Sequence, residues 1–196
     1  MEVHGAVAIA QPATARDDQY LVALAVGSQD TAAFGELIRR HQSHVRNFLR
    51  KLTGGSIDEA DDLAQECFLH AWDKLQTYSG RGSFIGWLLK VAYTTFLQSK
   101  RKSKRYAEVL DEAGRVADLE SRSYTQDSEE VTDLEKLLAV LTDEERAIMV
   151  MSYACGLSHR EIGEATGLPV GTVKSVIFRG KEKIRNRFDI QDHQHG

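Results

Sequence analysis

The sequence lacks long apolar runs and has only two cysteines among its 196 residues. No apolar segment approaches the ~20 residues that a helix needs to span a bilayer, and no secretion signal is recognisable. We therefore expect a cytoplasmic protein without direct membrane insertion. Cys67 and Cys155 are too few for a disulfide framework, and Cys67 with His70 offers too few ligands for a zinc site. The sequence predicts reduced, structural cysteines, and neither a metal nor a cofactor.

The sequence also has no excess of positive charge, and its formal net charge at pH 7 is −4. A domain that binds nucleic acid is normally basic. The cations are nevertheless concentrated in residues 90–105 and 174–187, while acidic residues lie between these stretches and near residues 57–73. This distribution predicts two separate contacts with nucleic acid, which the total charge conceals.

The most informative stretch is residues 157–188, LSHREIGEATGLPVGTVKSVIFRGKEKIRNRF. Ser158 with Glu161 predicts a capping box, Gly167 can supply a left-handed turn residue, and Pro169 suits the start of a second helix. On that second helix, apolar or small residues at spacings of three and four predict one buried face: Val173, Ile177, Gly180 and Ile184. Cations on its other faces predict a helix-turn-helix whose second helix enters a major groove. An amphipathic surface helix with solvated cations is the alternative.

Apolar residues recur at helical spacing through most of the remaining chain. Helices are predicted from residue 17 to 27, from about 31 to 52, from 58 to 75, from 83 to 105, and in two segments after residue 131. Residues 106–130 have no sustained apolar stripe and are rich in acidic and hydroxyl side chains, which predicts a flexible acidic linker. We therefore predict an all-α fold of two small helical domains, with a disordered extension at 1–15, a first domain at 16–105, the linker at 106–130, a second domain at 131–188 and a tail at 189–196.

The helix predicted at 58–75 has two different faces. Its apolar residues, including Leu63, Cys67 and Ala71, point to one side and predict a core contact. The other side is polar and acidic around one exposed leucine: Asp62, Gln65, Glu66, Leu69 and Asp73. An apolar side chain among such polar groups predicts a surface for a partner protein.

Aromatic and cationic residues are interleaved in residues 83–105. Trp87, Tyr93 and Phe96 alternate with Lys90 and with the cations of residues 100–105. Rings can stack on unpaired bases while cations neutralise phosphates, so this pattern favours binding to single-stranded DNA. The equally strong alternative is that the rings belong to the core and the cations are only solvated.

Four segments match a known family when they are taken in this order and spacing. They read FGELIRRHQSHVRNFLRKL, DEADDLAQECFLHAWDKL, GSFIGWLLKVAYTTFLQSKRK and LTDEERAIMVMSYACGLSHREIGEATGLPVGTVKSVIFRGKEKIR. Over about residues 17–188 the chain resembles the bacterial RNA polymerase sigma factors of the sigma-70 family, extracytoplasmic-function (ECF) type. The resemblance implies a region 2 bundle, a region 4 helix-turn-helix, and a specificity subunit of core RNA polymerase that is not an enzyme.

By position in the motifs, the resemblance assigns three surfaces. The clamp helices of the polymerase beta-prime subunit would contact Asp62, Gln65, Glu66 and Leu69. The melted −10 element would be read by Lys90, Tyr93, Thr94, Thr95, Gln98, Lys100, Arg101 and Lys102. The duplex −35 element would be read by Val170, Gly171, Thr172, Lys174, Ser175, Arg179 and Lys183. The resemblance also implies promoter DNA, the beta flap and a regulatory anti-sigma factor as partners, and no small-molecule substrate.

Three residues depart from the family's usual pattern. Thr94 stands where Asn is common and Gln98 where Asp is common, so we expect an altered −10 pocket. Val176 replaces a frequent basic residue at the margin of the buried stripe and removes a possible DNA contact. These departures keep two alternatives open: a sigma mimic that sequesters an anti-sigma factor, and a conventional helix-turn-helix regulator that acts without core polymerase.

Overall fold

A computed structural model describes residues 17–112 and 133–192. Every element in this described part is helical, which confirms the predicted all-α class. The helices are α1 (Asp18–Gly27), α2 (Thr31–Leu52), α3 (Ile57–Lys74), α4 (Phe84–Glu112), α5 (Asp133–Leu138), α6 (Asp143–Tyr153), α7 (His159–Thr166) and α8 (Val170–Asp192), with a 3-10 turn at Leu75–Thr77 after α3. The predicted extension at 1–15, the linker from residue 113 and the last residues, 193–196, lie outside the described residues.

Helices α1 to α4 form the N-terminal domain around an apolar core. Leu37, Phe48 and Leu49 of α2 are fully buried, as their periodicity predicted. They share a hydrophobic cluster with Cys67 of α3 and Phe96 of α4. Burying one such large apolar side chain contributes ~1.5–3 kcal/mol, so this cluster is what holds the bundle together.

Helix starts in this domain are set by side-chain caps. Asp17, Asp30 and Ser56 each accept a hydrogen bond from a backbone N–H of the first turn of the helix that follows. Such a cap satisfies a donor that the helix itself cannot pair, and it contributes ~1 kcal/mol. The observed starts of α1, α2 and α3 therefore agree with the predicted ones to within a residue or so.

The C-terminal ends of α4 and α8 differ from the expected boundaries. Helix α4 continues to Glu112, although an acidic linker was expected from residue 106. Lys104 Nζ and Glu108 Oε1, which are one helical turn apart, form an ion pair of 3.9 Å. Such a pair stabilises the extended end of α4. Helix α8 likewise continues to Asp192, past the expected tail boundary. Charged composition alone does not end a helix, because Glu, Lys and Arg are good helix formers.

Helices α5 to α8 form the C-terminal domain, with the predicted helix-turn-helix in α7 and α8. Capping boxes begin α6, through Thr142 and Glu145, and α7, through Ser158 and Glu161. Gly167 ends α7 at φ 79°, the left-handed conformation that was predicted for it. The four-helix arrangement around the helix-turn-helix is thus confirmed.

The two domains pack directly on each other, with α7 against α4 and α6 against α2. The Ser83 hydroxyl, just before α4, donates a hydrogen bond of 2.7 Å to Glu161 Oε1 of α7. A Cβ on Gly86, three residues further on, would lie 2.9 Å from Ser83 Oγ and 3.4 Å from Glu161 Oε1. Glycine at this position therefore leaves room for the hydrogen bond between the two domains.

Arg146 of α6 forms a second link between the domains. It is only 5% exposed and donates hydrogen bonds to two carbonyls of its own domain, Leu138 O at 3.1 Å and Leu141 O at 3.3 Å. A third bond of 3.2 Å joins Arg146 Nη1 to Leu52 O at the end of α2. A buried guanidinium is tolerated where its donors are satisfied, and here the acceptors come from both domains.

Candidate nucleic-acid and polymerase interfaces

The first part of α8 presents an exposed, mostly polar face. All the residues that were expected to read duplex DNA are exposed: Val170, Gly171, Thr172, Lys174, Ser175, Arg179 and Lys183. The opposite side packs inward, since Val173 and Ile177 are buried. Lys183 differs from the other cations because its Nζ lies 2.7 Å from both carboxylate oxygens of Glu145. Its charge is therefore partly committed to its own domain.

The packing side of α8 is broader than the predicted stripe. Val176, expected at the margin, is 2% exposed and belongs to the apolar core. Gly180 lies so close to α6 that an added Cβ would meet Met149 Sδ at 3.1 Å. Val176 thus packs in the apolar core, and it also removes the cation that the family often has at this position.

The turn between α7 and α8 is held by a close backbone contact. A Cβ on Gly163 would lie 2.8 Å from Leu168 O, a distance that real Cβ atoms do not adopt. The Thr166 hydroxyl donates to Ile162 O at 2.8 Å and accepts a bond of 3.4 Å from Leu168 N–H. These contacts fix the angle at which α8 leaves the turn and hence the direction of its exposed face.

On α4, the expected −10 residues divide into exposed and buried groups. The exposed group is Lys90, Gln98, Lys100, Arg101 and Lys102, and Thr94 is half-buried. Tyr93 and Thr95 are only 4% and 1% exposed, so their assignment to a DNA surface is not supported by this arrangement. The Thr95 hydroxyl donates to Val91 O at 3.1 Å and contacts His70 Nδ1 at 3.2 Å. A helix buries residues three to four apart, and this face of α4 is needed for the core.

The aromatic residues of α4 follow the core alternative. Phe96 is fully buried, and burial raises the pKa of Tyr93 to about 12. Trp87 remains half-buried, where it packs against Tyr78 and Phe84 with ring centroids 5.9 and 5.6 Å away. Of the three interleaved rings, Trp87 alone is available for a base.

A cleft of about 300 Å³ lies beside Trp87, at a place that no sequence motif predicted. Its walls come from the loop before α4, from α4 and from α7: Thr77, Tyr78, Ser79, Arg81, Gly82, Ser83, Gly86, Trp87, Lys90, Glu161, Glu164 and Ala165. The Tyr78 hydroxyl donates to Gly82 O at 3.1 Å and shapes the loop. The available signal was Arg81 in a glycine- and serine-rich loop next to an aromatic helix start.

Helix α3 exposes its acidic face as expected. Asp62, Gln65 and Glu66 are exposed, and Leu69 is 68% exposed. The opposite side of α3 is buried through Leu63, Cys67 and Ala71. This face therefore combines carboxylates with a large apolar side chain that nothing covers in the described part of the chain.

The cysteines lie in apolar surroundings. Burial raises the pKa of Cys67 to about 12 and that of Cys155 to about 11, with Lys51 opposing the second shift. A thiol with such a pKa is a poor nucleophile and metal ligand. Within residues 17–112 and 133–192, no three His, Cys, Asp or Glu side chains are grouped so as to hold a metal ion. None of the helices in these ranges is both long and apolar enough to cross a bilayer.

Comparison with family models defines the class of protein. Residues 37–106 match the model of sigma-70 region 2, and residues 132–184 match that of sigma-70 region 4. The first match covers α3, most of α2 and most of α4, and the second covers the helix-turn-helix. The fold and both matches define a sigma-70 type transcription factor with two domains.

Two relatives show to which group of sigma-70 factors the chain belongs. The chain is 30% identical over 172 residues to the ECF RNA polymerase sigma factor SigW of Bacillus subtilis, covering 82% of this chain and 90% of that relative. It is 35% identical over 158 residues to the ECF RNA polymerase sigma factor SigE of Mycolicibacterium smegmatis, covering 79% of this chain but 61% of that relative. The chain belongs to the ECF sigma factors.

Two solved structures share the fold. One is the sigma factor RpoE in complex with the anti-sigma factor NepR from Bartonella quintana, with a TM-score of 0.63, 23% identity, and coverage of 80% of this chain and 97% of that one. The other is CnrH in complex with the cytosolic domain of CnrY, with a TM-score of 0.64, 23% identity, and coverage of 89% and 99%. Both likenesses support the all-α arrangement described above.

Proposed function

We propose that this protein binds core RNA polymerase and directs it to a set of promoters. The observation that carries the proposal is the combination, on one chain of the ECF family, of two cationic helical faces and a separate acidic face on α3. A conventional helix-turn-helix regulator needs only the face of α8. The α3 face and the cationic end of α4 have no role in that alternative.

In this proposal, α8 reads the −35 duplex in the major groove. Lys174 and Arg179 project from its exposed face, and Val170 to Thr172 lie at its N-terminal end, where a recognition helix usually meets base edges. Each good side-chain contact with a base edge discriminates by ~1–3 kcal/mol, while phosphate contacts supply affinity that depends on salt. The geometry of the turn at Gly163 supports this role by fixing the angle of the helix.

The −10 strand is assigned to the start and outer face of α4. Lys90, Gln98 and the cations from Lys100 to Lys102 supply phosphate contacts, and Trp87 beside the cleft supplies a ring for stacking. Thr94 keeps its hydroxyl on Lys90 O at 2.8 Å, so it offers only an acceptor to a base. Tyr93 and Thr95 have no part in this revised surface.

The α3 face is assigned to the clamp helices of the polymerase beta-prime subunit. Its carboxylates would meet a basic partner, and Leu69 would fill an apolar pocket on it. We also infer control by an anti-sigma factor. Of the two solved structures with this fold, one is a sigma factor bound to the anti-sigma factor NepR, and the other is CnrH bound to the cytosolic domain of CnrY. Recovery of core polymerase but no further protein, in pull-downs from unstressed cells, would contradict that control.

Two experiments test promoter selection. Mapping the 5′ ends of transcripts induced by overexpression should reveal shared −35 and −10 sequences. Run-off transcription with core polymerase should then start at those promoters only when the protein is added. Absence of a promoter-specific transcript would contradict the proposal and favour a sigma mimic.

A paired variant separates the polymerase surface from general effects of charge. Gln65→Ala with Glu66→Ala should weaken binding to core polymerase and reduce run-off transcription at limiting protein. Asp133→Ala, which removes one exposed acid of α5, is the matched control and should leave core binding unchanged. Equal binding by both variants would favour a regulator that acts without core polymerase.

A further inference from the structure

The C-terminal domain covers the first turns of α4, where Trp87 and Lys90 belong to the surface that we assign to the −10 strand. Ser83, Gly86, Trp87 and Lys90 are spaced so that they share one side of the first turns. Helix α7 packs on this side and anchors there through the 2.7 Å hydrogen bond from Ser83 to Glu161. The cleft beside Trp87 is therefore closed on one side by α7.

The covering surface is acidic, and the surface beneath it is cationic. Glu161 and Glu164 of α7 line the same cleft as Arg81 and Lys90. Arg81 and Lys90 are the groups that would meet phosphates of a strand entering the cleft. The carboxylates of α7 thus stand where DNA would bring negative charge.

A second acidic segment lies further along α4. Asp143 and Glu144 belong to the first turn of α6, and Asp143 lines the same pocket as Lys100 of α4. Helix α6 therefore also brings a carboxylate to the −10 surface. The exposed face of α8, in contrast, keeps Lys174 and Arg179 accessible.

We propose that this closed arrangement is autoinhibitory: acidic residues at the start of α6 and along α7 occupy the −10 surface of α4 in place of DNA. The inference rests on the proposed function, because it concerns the regulation of the same −10 surface. In the closed state α8 can contact a −35 duplex, but the −10 strand binds only after the domains separate. The apparent affinity for that strand is then the intrinsic affinity multiplied by the open fraction.

Closure can be measured by fluorescence energy transfer between the two domains. Exposed positions for dyes are Asn47→Cys on α2 and Asn186→Cys on α8, in a Cys155→Ser background. Cys67 is fully buried and does not compete for the dyes. Glu164→Lys places a cation in the cleft beside Lys90 and should lower the transfer efficiency by repulsion. Asp133→Lys makes the same change of charge on an exposed site of α5 and is the matched control.

The same variants test whether closure blocks DNA. The probe is a fluorescent single strand that carries the non-template −10 sequence of a promoter mapped as above. We expect Glu164→Lys to bind it at least ~3-fold more tightly than Asp133→Lys does, because the open fraction rises. Equal transfer efficiency in the two variants, or opening without tighter binding of the strand, would overturn the inference.

Charge reversal gives a further check on the electrostatic attraction across the cleft. Lys90→Glu combined with Glu164→Lys restores opposite charges in the cleft and should return the transfer efficiency towards the wild-type value. Failure of the double variant to close again would also count against the inference. If no promoter is found, the proposed function fails, while the transfer measurements still report whether these acids hold the domains together.

Discussion

The two helices that we assign to DNA, α8 and α4, differ in how much of their predicted surface is accessible. Every expected −35 residue of α8 is exposed, whereas Tyr93 and Thr95 of α4 are buried. Helix α8 lies at the edge of a small domain and packs with one side only. Helix α4 contacts α2 and α3 on one side and α7 on another. A helix in the middle of a fold has fewer faces left for a ligand.

The two helices also differ in whether the domains must move. The exposed face of α8 needs no rearrangement to meet a duplex, whereas in our proposal the start of α4 accepts a strand only if α7 moves. The contacts that create this difference can each be broken by a substitution.

The largest effect is expected at Arg146, which bonds three carbonyls from both domains. Arg146→Met would remove three hydrogen bonds to these carbonyls, of which Leu138 O keeps the N–H of Leu141 as a donor. The loss should lower the free energy of unfolding by roughly 2–4 kcal/mol. Arg160→Met removes an exposed arginine of α7 and should change it by less than ~0.5 kcal/mol. Urea unfolding followed by circular dichroism measures both, and equal midpoints would show that Arg146 has no special role.

The second-largest effect on stability is expected at Gly163. Gly163→Ala forces a Cβ to within 2.8 Å of Leu168 O, and this overpacking should cost ~1–3 kcal/mol and misdirect α8. The control is Gly171→Ala, whose Cβ meets nothing within 4 Å and should stabilise the helix by ~0.5–1 kcal/mol. Amide hydrogen exchange in α7 and α8 reports both changes. Stabilisation by Gly163→Ala would contradict the close turn.

The third prediction separates the two DNA surfaces. Arg179→Ala should weaken binding of a −35 duplex by ~1–3 kcal/mol and leave binding of the −10 strand unchanged. Lys100→Ala should do the reverse, with a smaller loss and a shallower dependence on salt. Fluorescence anisotropy at several salt concentrations measures each case. Loss of both activities in either variant would remove the division between the helices.

The smallest effect is expected from the capping glutamates. Partial burial alone would raise the pKa of Glu145 and Glu161, but hydrogen bonds from Lys183 and Thr142 to the first, and from Ser158 and Ser83 to the second, bring each below the ordinary 4.5. Because the folded pKa is lowered, their contribution is complete above pH ~4.5 and is lost as the pH falls through the lowered values.

We therefore expect the melting temperature of the protein to fall in acid partly through these two groups. Each glutamate should contribute only about a few tenths of a kcal/mol to the free energy of unfolding, since both remain in contact with solvent. The variant Glu145→Gln with Glu161→Gln should melt with a weaker dependence on pH below ~4.5 than the wild type. An unchanged pH profile would show that other carboxylates are responsible.

Much of the fold could be predicted because its signals are local. The box of Ser158 and Glu161, the left-handed Gly167 and the periodicity of α8 each depend on residues within one or two turns. Polarity also predicted the exposed face of α3 correctly. The end of α4 was placed too early, because acidic composition was interpreted as a linker where helix propensity was sufficient.

Sequence by itself determined the helices, their caps, the membership of the ECF family and the exposed face of α8, since each follows from neighbouring residues or from motif spacing. Tertiary structure alone decided that Tyr93, Thr95 and Val176 are buried and that Ser83 bonds to Glu161. Ser83 and Glu161 lie 78 residues apart, and periodicity cannot indicate which of two suitable faces a distant helix will cover. The physical reason is that burial depends on the partner as well as on the helix, and the partner is chosen only when the whole chain packs.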